Sequence, residues 1–158
     1  MSRAITKIHF PRTRLAELVA RSGGMSREQA VEAANASAES LRELAFQTIE
    51  ITIRDIEAGV ACAKNNRLDA AGMKEILDHA DRLVTMTSMF ELDMLEEVLK
   101  SLCDVIAALT AQACEDAAPI LVHVQAMRLL APGGAELDIE PARHILSNLA
   151  KVRHRYCA

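Results

Sequence analysis

The sequence predicts an all-α protein, and three observations lead to this fold class. Apolar residues recur at helical spacing through most of the chain, and no segment shows the strict alternation of a half-buried strand. Hydrophobic residues make up 51% of the sequence, yet aromatic residues make up only 3%. The apolar mass is therefore aliphatic, as packed helices prefer. Short loops between the main helices favour an antiparallel up-down four-helix bundle with an extra short N-terminal helix.

The predicted domain organisation has two parts. Residues 1–25 hold an arm that ends at Phe10-Pro11 and a short helix from Thr13 to about Ser22, which Gly23-Gly24 stops. Residues 26–158 form the helical bundle domain. A chain of 158 residues can bury most of one core without a disulfide or a metal to hold it together.

Local signals predict where the main helices begin. Ser26 and Gln29 form a capping box, and no helix breaker follows before Lys64, which predicts one long helix. Asp69 can cap the helix after it. Three more helices are expected at about residues 93–112, 115–130 and 138–156.

The long helix carries more apolar residues than one packed face requires. A stripe at helical spacing is expected to point inward, and Leu44, Ile51 and Ile53 widen it beyond one face. The surplus predicts contact with the short first helix or with a second copy of the chain, which would make a homodimer. The inward stripe comprises Val31, Ala34, Leu41, Ala45, Ile49, Thr52, Ile56 and Val60.

Composition argues against several classes of partner. The net charge is −4, and the one local basic excess, in residues 151–155, suits a helix C-terminus, so no nucleic-acid partner is expected. No apolar run approaches the roughly 18 residues of a membrane span, and the N-terminus lacks a signal-peptide core. The four cysteines are widely spaced, which is typical of reduced thiols. We therefore expect a cytoplasmic protein without a membrane partner.

No complete catalytic or metal-binding constellation is visible in the sequence. Glu75 and His79 lie at the wrong offset for a bundle metal site, so no metal or cofactor is expected. His123 lies in an apolar run, where a hydrogen-bonded core histidine or a helix-face histidine is the expected interpretation. Glu43 and Gln47, four residues apart, could orient a water molecule against a phosphorylated aspartate on a partner.

Residues 68–131 carry motifs of a known family. Phe90 stands eleven residues before Ser101-Leu102-Cys103, and the segment His123-Val124-Gln125-Ala126-Met127-Arg128 follows. This pattern resembles the histidine phosphotransfer (HPt) domains of bacterial two-component signalling, in particular a stand-alone alphaproteobacterial type associated with chemotaxis.

The sequence departs from the family at its reactive positions. Counting nine residues back from Phe90 places Asp81 where the phosphorylatable histidine would stand. Val84 replaces the family lysine, Thr85 the small glycine after it, and Glu91 the glycine after the phenylalanine. The nucleophile that the resemblance implies is therefore missing, and phosphotransfer is not expected.

The resemblance implies a non-catalytic adaptor that docks a response-regulator receiver domain or a histidine-kinase domain. Two alternatives stay open. One is an auxiliary phosphatase that uses Glu43, Gln47 or Asp81 against a receiver phosphoaspartate, and the other is a structural homodimeric bundle. The residues expected to contact the docked partner are Asp81, Val84, Thr85, Ser88 and Phe90.

Overall fold

The computed structural model describes residues 24–63, 65–134 and 138–157. These residues form five helices and no strand, with one isolated bridge between Arg67 and Asp116, so the all-α prediction is confirmed. The predicted N-terminal arm and the predicted helix from Thr13 to Ser22 lie outside the described residues. The helices are α1 (Arg27–Ala61), α2 (Ala70–Met89), α3 (Asp93–Ala111), α4 (Ala118–Leu130) and α5 (Ile139–Cys157).

The chain divides into two compact units, Met1–Glu39 and Ser40–Ala158. In the first unit the structure describes residues 24–39, which are exposed throughout. The predicted capping box is present there, because the Ser26 amide donates to Gln29 Oε1 at 3.0 Å and the Gln29 amide donates to Ser26 Oγ at 3.2 Å. The predicted domain boundary after residue 25 stays a prediction.

Within the second unit, α1 buries one face, and this face differs from the predicted stripe. Ile53 is fully buried, because it follows Ile49 by four residues and precedes Ile56 by three. Leu41 was expected to point inward but is 61% exposed, since burial along α1 begins only at Ala45. Val31, in the first unit, is also exposed, contrary to the prediction. The buried residues of α1 are Ala45, Ile49, Ile53, Ile56 and Val60.

Helix α3 lies at the centre of the second unit. It packs against α2, α4 and α5, and α4 also contacts α5. Helix α5 buries Ala142 and Leu149, and the buried residues of α2 are Met73, Ile76, Ala80, Leu83 and Thr87. Helix α3 buries eight residues, namely Leu95, Val98, Leu99, Ser101, Leu102, Val105, Ile106 and Leu109.

A set of polar contacts around Asp116 joins two loops to the end of α5. Asp116 Oδ1 accepts from Asn66 Nδ2 at 3.1 Å and from the Ala118 amide at 3.0 Å. Its Oδ2 accepts from the Tyr156 hydroxyl at 3.0 Å. Backbone hydrogen bonds from Leu68 N to Glu115 O and from Ala117 N to Asn66 O close the same junction. One carboxylate thus connects the turns after α1 and before α4 with the last turn of α5.

Helix α2 ends in a Schellman-type turn without glycine. The Leu92 amide donates to the Thr87 carbonyl at 3.1 Å, and Glu91 adopts φ +58°. Helix α3 ends in the same way, with Ala113 at φ +50° and the Cys114 amide donating to Leu109 O at 2.9 Å. Left-handed backbone costs a residue with a Cβ roughly 1–2 kcal/mol, so both helix ends are strained.

Replacing Glu91 with glycine should therefore stabilise the protein by about 1 kcal/mol, because glycine adopts positive φ without the Cβ clash. The free energy of unfolding, measured by urea denaturation, tests this. Glu91→Ala is the matched control, since it removes the carboxylate but keeps the Cβ. An equal gain in both variants would mean that the carboxylate, and not the backbone, is the source of strain.

Candidate partner-binding face

Three of the predicted partner-binding residues lie on one side of α2. Asp81, Thr85 and Ser88 are exposed, and their spacings of four and three residues align them along the helix. Contacts described below bring residues of α3 beside them. We define the α2–α3 face by Asp81, Thr85 and Ser88 of α2 and by Glu96, Lys100 and Cys103 of α3.

Polar contacts tie the two helices together at one end of this face. Ser88 Oγ donates to Glu96 Oε2 at 2.7 Å, and the Lys100 ammonium forms an ion pair with Glu96 Oε1. The hydrogen bond from Lys100, and after it the one from Ser88, lowers the pKa of the Glu96 carboxyl. Glu96 therefore stays ionised and holds both donors in place.

The charge of Asp81 also affects the thiol of Cys103 on α3. Burial raises the pKa of the half-buried Cys103 thiol to about 11, and the carboxylates of Asp81 and Asp104 add to the shift. A thiol with such a pKa is protonated at neutral pH and is a poor nucleophile. The α2–α3 face thus offers an exposed carboxylate beside an uncharged, unreactive cysteine.

The other two predicted residues are less exposed. Val84 is half-buried and packs against the core. Phe90 is also half-buried, and its ring meets that of Phe46 edge to face, with centroids 6.2 Å apart and an interplanar angle of 73°. Val84 and Phe90 lie at the margin of the core, where they anchor the end of α2 to its neighbours.

The other sequence candidates lie on another side of α2 or on α1. His79 is half-buried and two residues before Asp81, which turns it about 200° around the helix. Its neighbour Asp78 forms an ion pair with Lys74 at 2.7 Å, and this hydrogen bond lowers the pKa of the Asp78 carboxyl. Glu43 and Gln47 are exposed on α1.

A buried polar pair connects the two family-like motifs. Ser101 of α3 is 6% exposed and His123 of α4 is fully buried, with Ser101 Oγ and His123 Nε2 2.9 Å apart. His123 Nδ1 lies 2.7 Å from the Pro119 carbonyl oxygen. A carbonyl only accepts, so Nδ1 carries the proton and Nε2 accepts from the Ser101 hydroxyl.

His123 is therefore a hydrogen-bonded core histidine, in agreement with the sequence interpretation. Its two partners were not anticipated, although the Ser-Leu-Cys and His-Val motifs contain the pair. Burial lowers the pKa of the imidazole, and the charge of Arg153 lowers it further, while the hydrogen bond to Pro119 opposes the shift. The ring is neutral in the folded protein at neutral pH.

The Ser101 and His123 pair has the spacing of a nucleophile and its base, but its surroundings do not suit catalysis. A catalytic serine must reach its substrate, whereas Ser101 is buried within α3. The cavity beside it measures about 20 Å³ and is lined by Glu97, Leu149 and Arg153, among others. Such a volume admits no more than a water molecule. The pair is a structural link between α3 and α4.

Comparisons with known proteins returned no relative. No model of a protein family matched the chain, and neither the curated proteins nor the solved structures contained a match.

The described part of the chain shows neither a metal-ligand cluster nor a disulfide bond. No group of three or more histidine, cysteine or acidic side chains there is arranged to hold a metal ion. All four cysteines are described, and all are free. Among the five described helices, none combines the length and the hydropathy that crossing a bilayer requires.

Replacing Ser101 with alanine should lower the free energy of unfolding by about 1–3 kcal/mol, because the buried Nε2 of His123 loses its donor. Urea denaturation measures the loss. Ser147→Ala, at an exposed position of α5, is the matched control for the change in helix propensity. If Ser101→Ala is no less stable than this control, the hydroxyl contributes nothing to the core.

The buried His123 should also make stability depend on pH. In the unfolded chain the ring titrates near pH 6.5, whereas its pKa in the folded protein is lower. Below about pH 6.5 the unfolded state therefore binds a proton that the folded state does not. The free energy of unfolding should then fall with decreasing pH, by at most about 1.4 kcal/mol per pH unit.

Urea denaturation at several pH values between 5.5 and 7.5 tests this dependence. His123→Gln should remove the decline, and His144→Gln, at an exposed position, should keep it. The NMR signals of the His123 ring give a second measurement in the wild-type protein. A ring that becomes protonated at pH 6.5 or above would contradict the expected direction.

Proposed function

We propose that this chain is a non-catalytic adaptor of the HPt type in bacterial two-component or chemotaxis signalling. It binds a receiver domain or a histidine-kinase domain through the α2–α3 face and carries no phosphohistidine. In this proposal the helices include an antiparallel up-down four-helix bundle, preceded by a short N-terminal helix, and the protein acts in the cytoplasm.

The observation that carries the proposal is the exposed carboxylate of Asp81 at the position where the resemblance expects a phosphohistidine. An imidazole nitrogen can accept a phosphoryl group and pass it on, which a carboxylate does not do in the same way. A carboxylate does present a permanent negative charge. Asp81 therefore offers a partner an anionic contact that needs no prior phosphorylation.

The surroundings of Asp81 support a docking role. Thr85 and Ser88 extend the exposed side of α2, and neither is a bulky side chain that would block a partner. The ion pair between Glu96 and Lys100 leaves that part of α3 nearly balanced in charge. Asp81 is thus the dominant charge of the α2–α3 face, and a partner with a complementary positive group gains most by contacting it.

Two further features agree with the family resemblance. Glu91 holds the left-handed conformation at the position where the family pattern has glycine, so the turn geometry that favours glycine is present without it. Ser101 of the Ser-Leu-Cys motif on α3 contacts His123 of the His-Val motif on α4. These contacts support the assignment of the motifs to one packed unit.

Binding of the purified full chain to a panel of receiver and kinase domains from the same genome tests the proposal. We expect at least one domain to bind, and we expect Asp81→Arg to weaken that binding tenfold or more, because it reverses the charge of the exposed carboxylate on the face. Glu75→Arg is the matched control. It makes the same change on an exposed position of α2, about 120° around the helix.

In the same mixtures, the rate of phosphate loss from the receiver distinguishes a phosphatase from an adaptor. An adaptor leaves that rate unchanged, whereas a phosphatase accelerates it and loses the effect with Asp81→Asn or Gln47→Ala. Binding that Asp81→Arg and Glu75→Arg weaken equally would contradict docking through the α2–α3 face, and so would the absence of any partner in the panel.

A further inference from the structure

Helix α1 carries a second apolar surface that its own core does not cover. Leu41, Leu44 and Ile51 are 61%, 60% and 57% exposed, and Thr48 between them is exposed as well. We call these four residues the α1 strip. All four belong to the second compact unit.

The α1 strip is distinct from the buried face of the same helix. At roughly 100° per residue, its members lie about 120° around the helix from the line of Ile49, Ile53 and Ile56. Their spacing is three, four and three residues, which is the 3.5-residue repeat of a coiled-coil seam. Single exposed apolar residues are common on protein surfaces, but an aligned series at this repeat marks an interaction surface.

We propose that the α1 strip binds the α1 strip of a second copy of this chain, with the two helices antiparallel. A seam that repeats every 3.5 residues is complementary to another seam with the same repeat. In the antiparallel register centred on residue 46, Leu41 faces Ile51 of the second copy and Leu44 faces its Thr48. The two-fold axis then generates four layers from four residues per chain, two of Leu41 with Ile51 and two of Leu44 with Thr48.

The charge of Asp55 favours the antiparallel orientation of the two helices. Asp55 is exposed and continues the α1 strip by the next four-residue step after Ile51. In a parallel pair it would face Asp55 of the second copy, and two like charges at one layer repel. In the antiparallel register the two Asp55 carboxylates lie at opposite ends of the contact.

The flanks of the strip permit the same register. In it, Gln47 lies one residue from the two-fold axis on one flank, so the Gln47 amides of the two copies come close enough to exchange a hydrogen bond. Arg54 lies diagonally across from Ser40 of the second copy and forms an ion pair with Glu50 of its own helix at 2.6 Å. On the other flank Ala45 is already buried in the core and Thr52 is half-buried, so neither places a large side chain between the two helices. No like charges meet at these positions.

The mass of the full chain in solution, measured by light scattering at tens of micromolar, tests the proposal. We expect twice the 17.2 kDa of one chain, and Leu44→Glu or Ile51→Glu should yield the single-chain mass. Leu129→Glu is the matched control, since Leu129 is an exposed apolar residue of α4. Circular dichroism must show unchanged helix content in each variant.

A charge-exchange pair tests the orientation. Leu41→Glu alone and Ile51→Lys alone should each give monomers. The double variant Leu41→Glu with Ile51→Lys should recover the dimer, because position 41 faces position 51 in the antiparallel register and opposite charges meet. In a parallel pair each position would face itself, and the double variant would stay monomeric, which would contradict the proposed orientation.

A wild-type chain that is monomeric at these concentrations would overturn the dimer and leave the α1 strip to another segment or another protein. A dimer that tolerates Leu44→Glu and Ile51→Glu would overturn the assignment of the strip. The receiver-binding experiment concerns α2 and α3, so its outcome and this one are independent.

Discussion

The fold depends on the burial of helix α3, which packs against α2, α4 and α5. Each fully buried aliphatic side chain contributes roughly 1.5–3 kcal/mol, and seven of the eight buried residues of α3 are of this kind. The eighth, Ser101, would be costly without a partner. His123 supplies that partner from α4, and Pro119 in turn fixes the imidazole. The burial of α3 therefore requires both its apolar side chains and the hydrogen bond between Ser101 and His123.

Much of the fold could be predicted from the sequence, because helix ends depend on local chemistry. The capping box of Ser26 and Gln29 and the cap by Asp69, which accepts from the Gly72 amide at 2.8 Å, were both readable from short segments. The buried face of α1 was less accessible. Periodicity identifies apolar residues, but α1 has two apolar faces, and nothing local tells which one the other helices cover. Leu41 and Ile53 were misplaced for this reason.

At the candidate site, too, some features follow from the local sequence and others from contacts between distant residues. The exposure of Asp81 follows from its place beside the inward residues of α2. The contact of Ser101 with His123 joins residues 22 positions apart, and no local rule predicts with which serine a buried histidine forms a hydrogen bond. The left-handed backbone at Glu91 was not readable from the residue itself, since an acidic side chain gives no signal for positive φ. It belongs to the hydrogen-bonded turn between Thr87 and Leu92 that ends α2.

Different physical constraints act on the exposed and the buried positions of this chain. Asp81 is exposed to water, so its side chain can be replaced with little effect on the core. Ser101 and His123 cannot change independently, because removing either leaves a buried polar atom without its partner. A helical scaffold can therefore change an exposed residue and keep the core that positions the surface around it. Under the proposed function, docking depends on the exposed side chains of the α2–α3 face and needs no phosphohistidine.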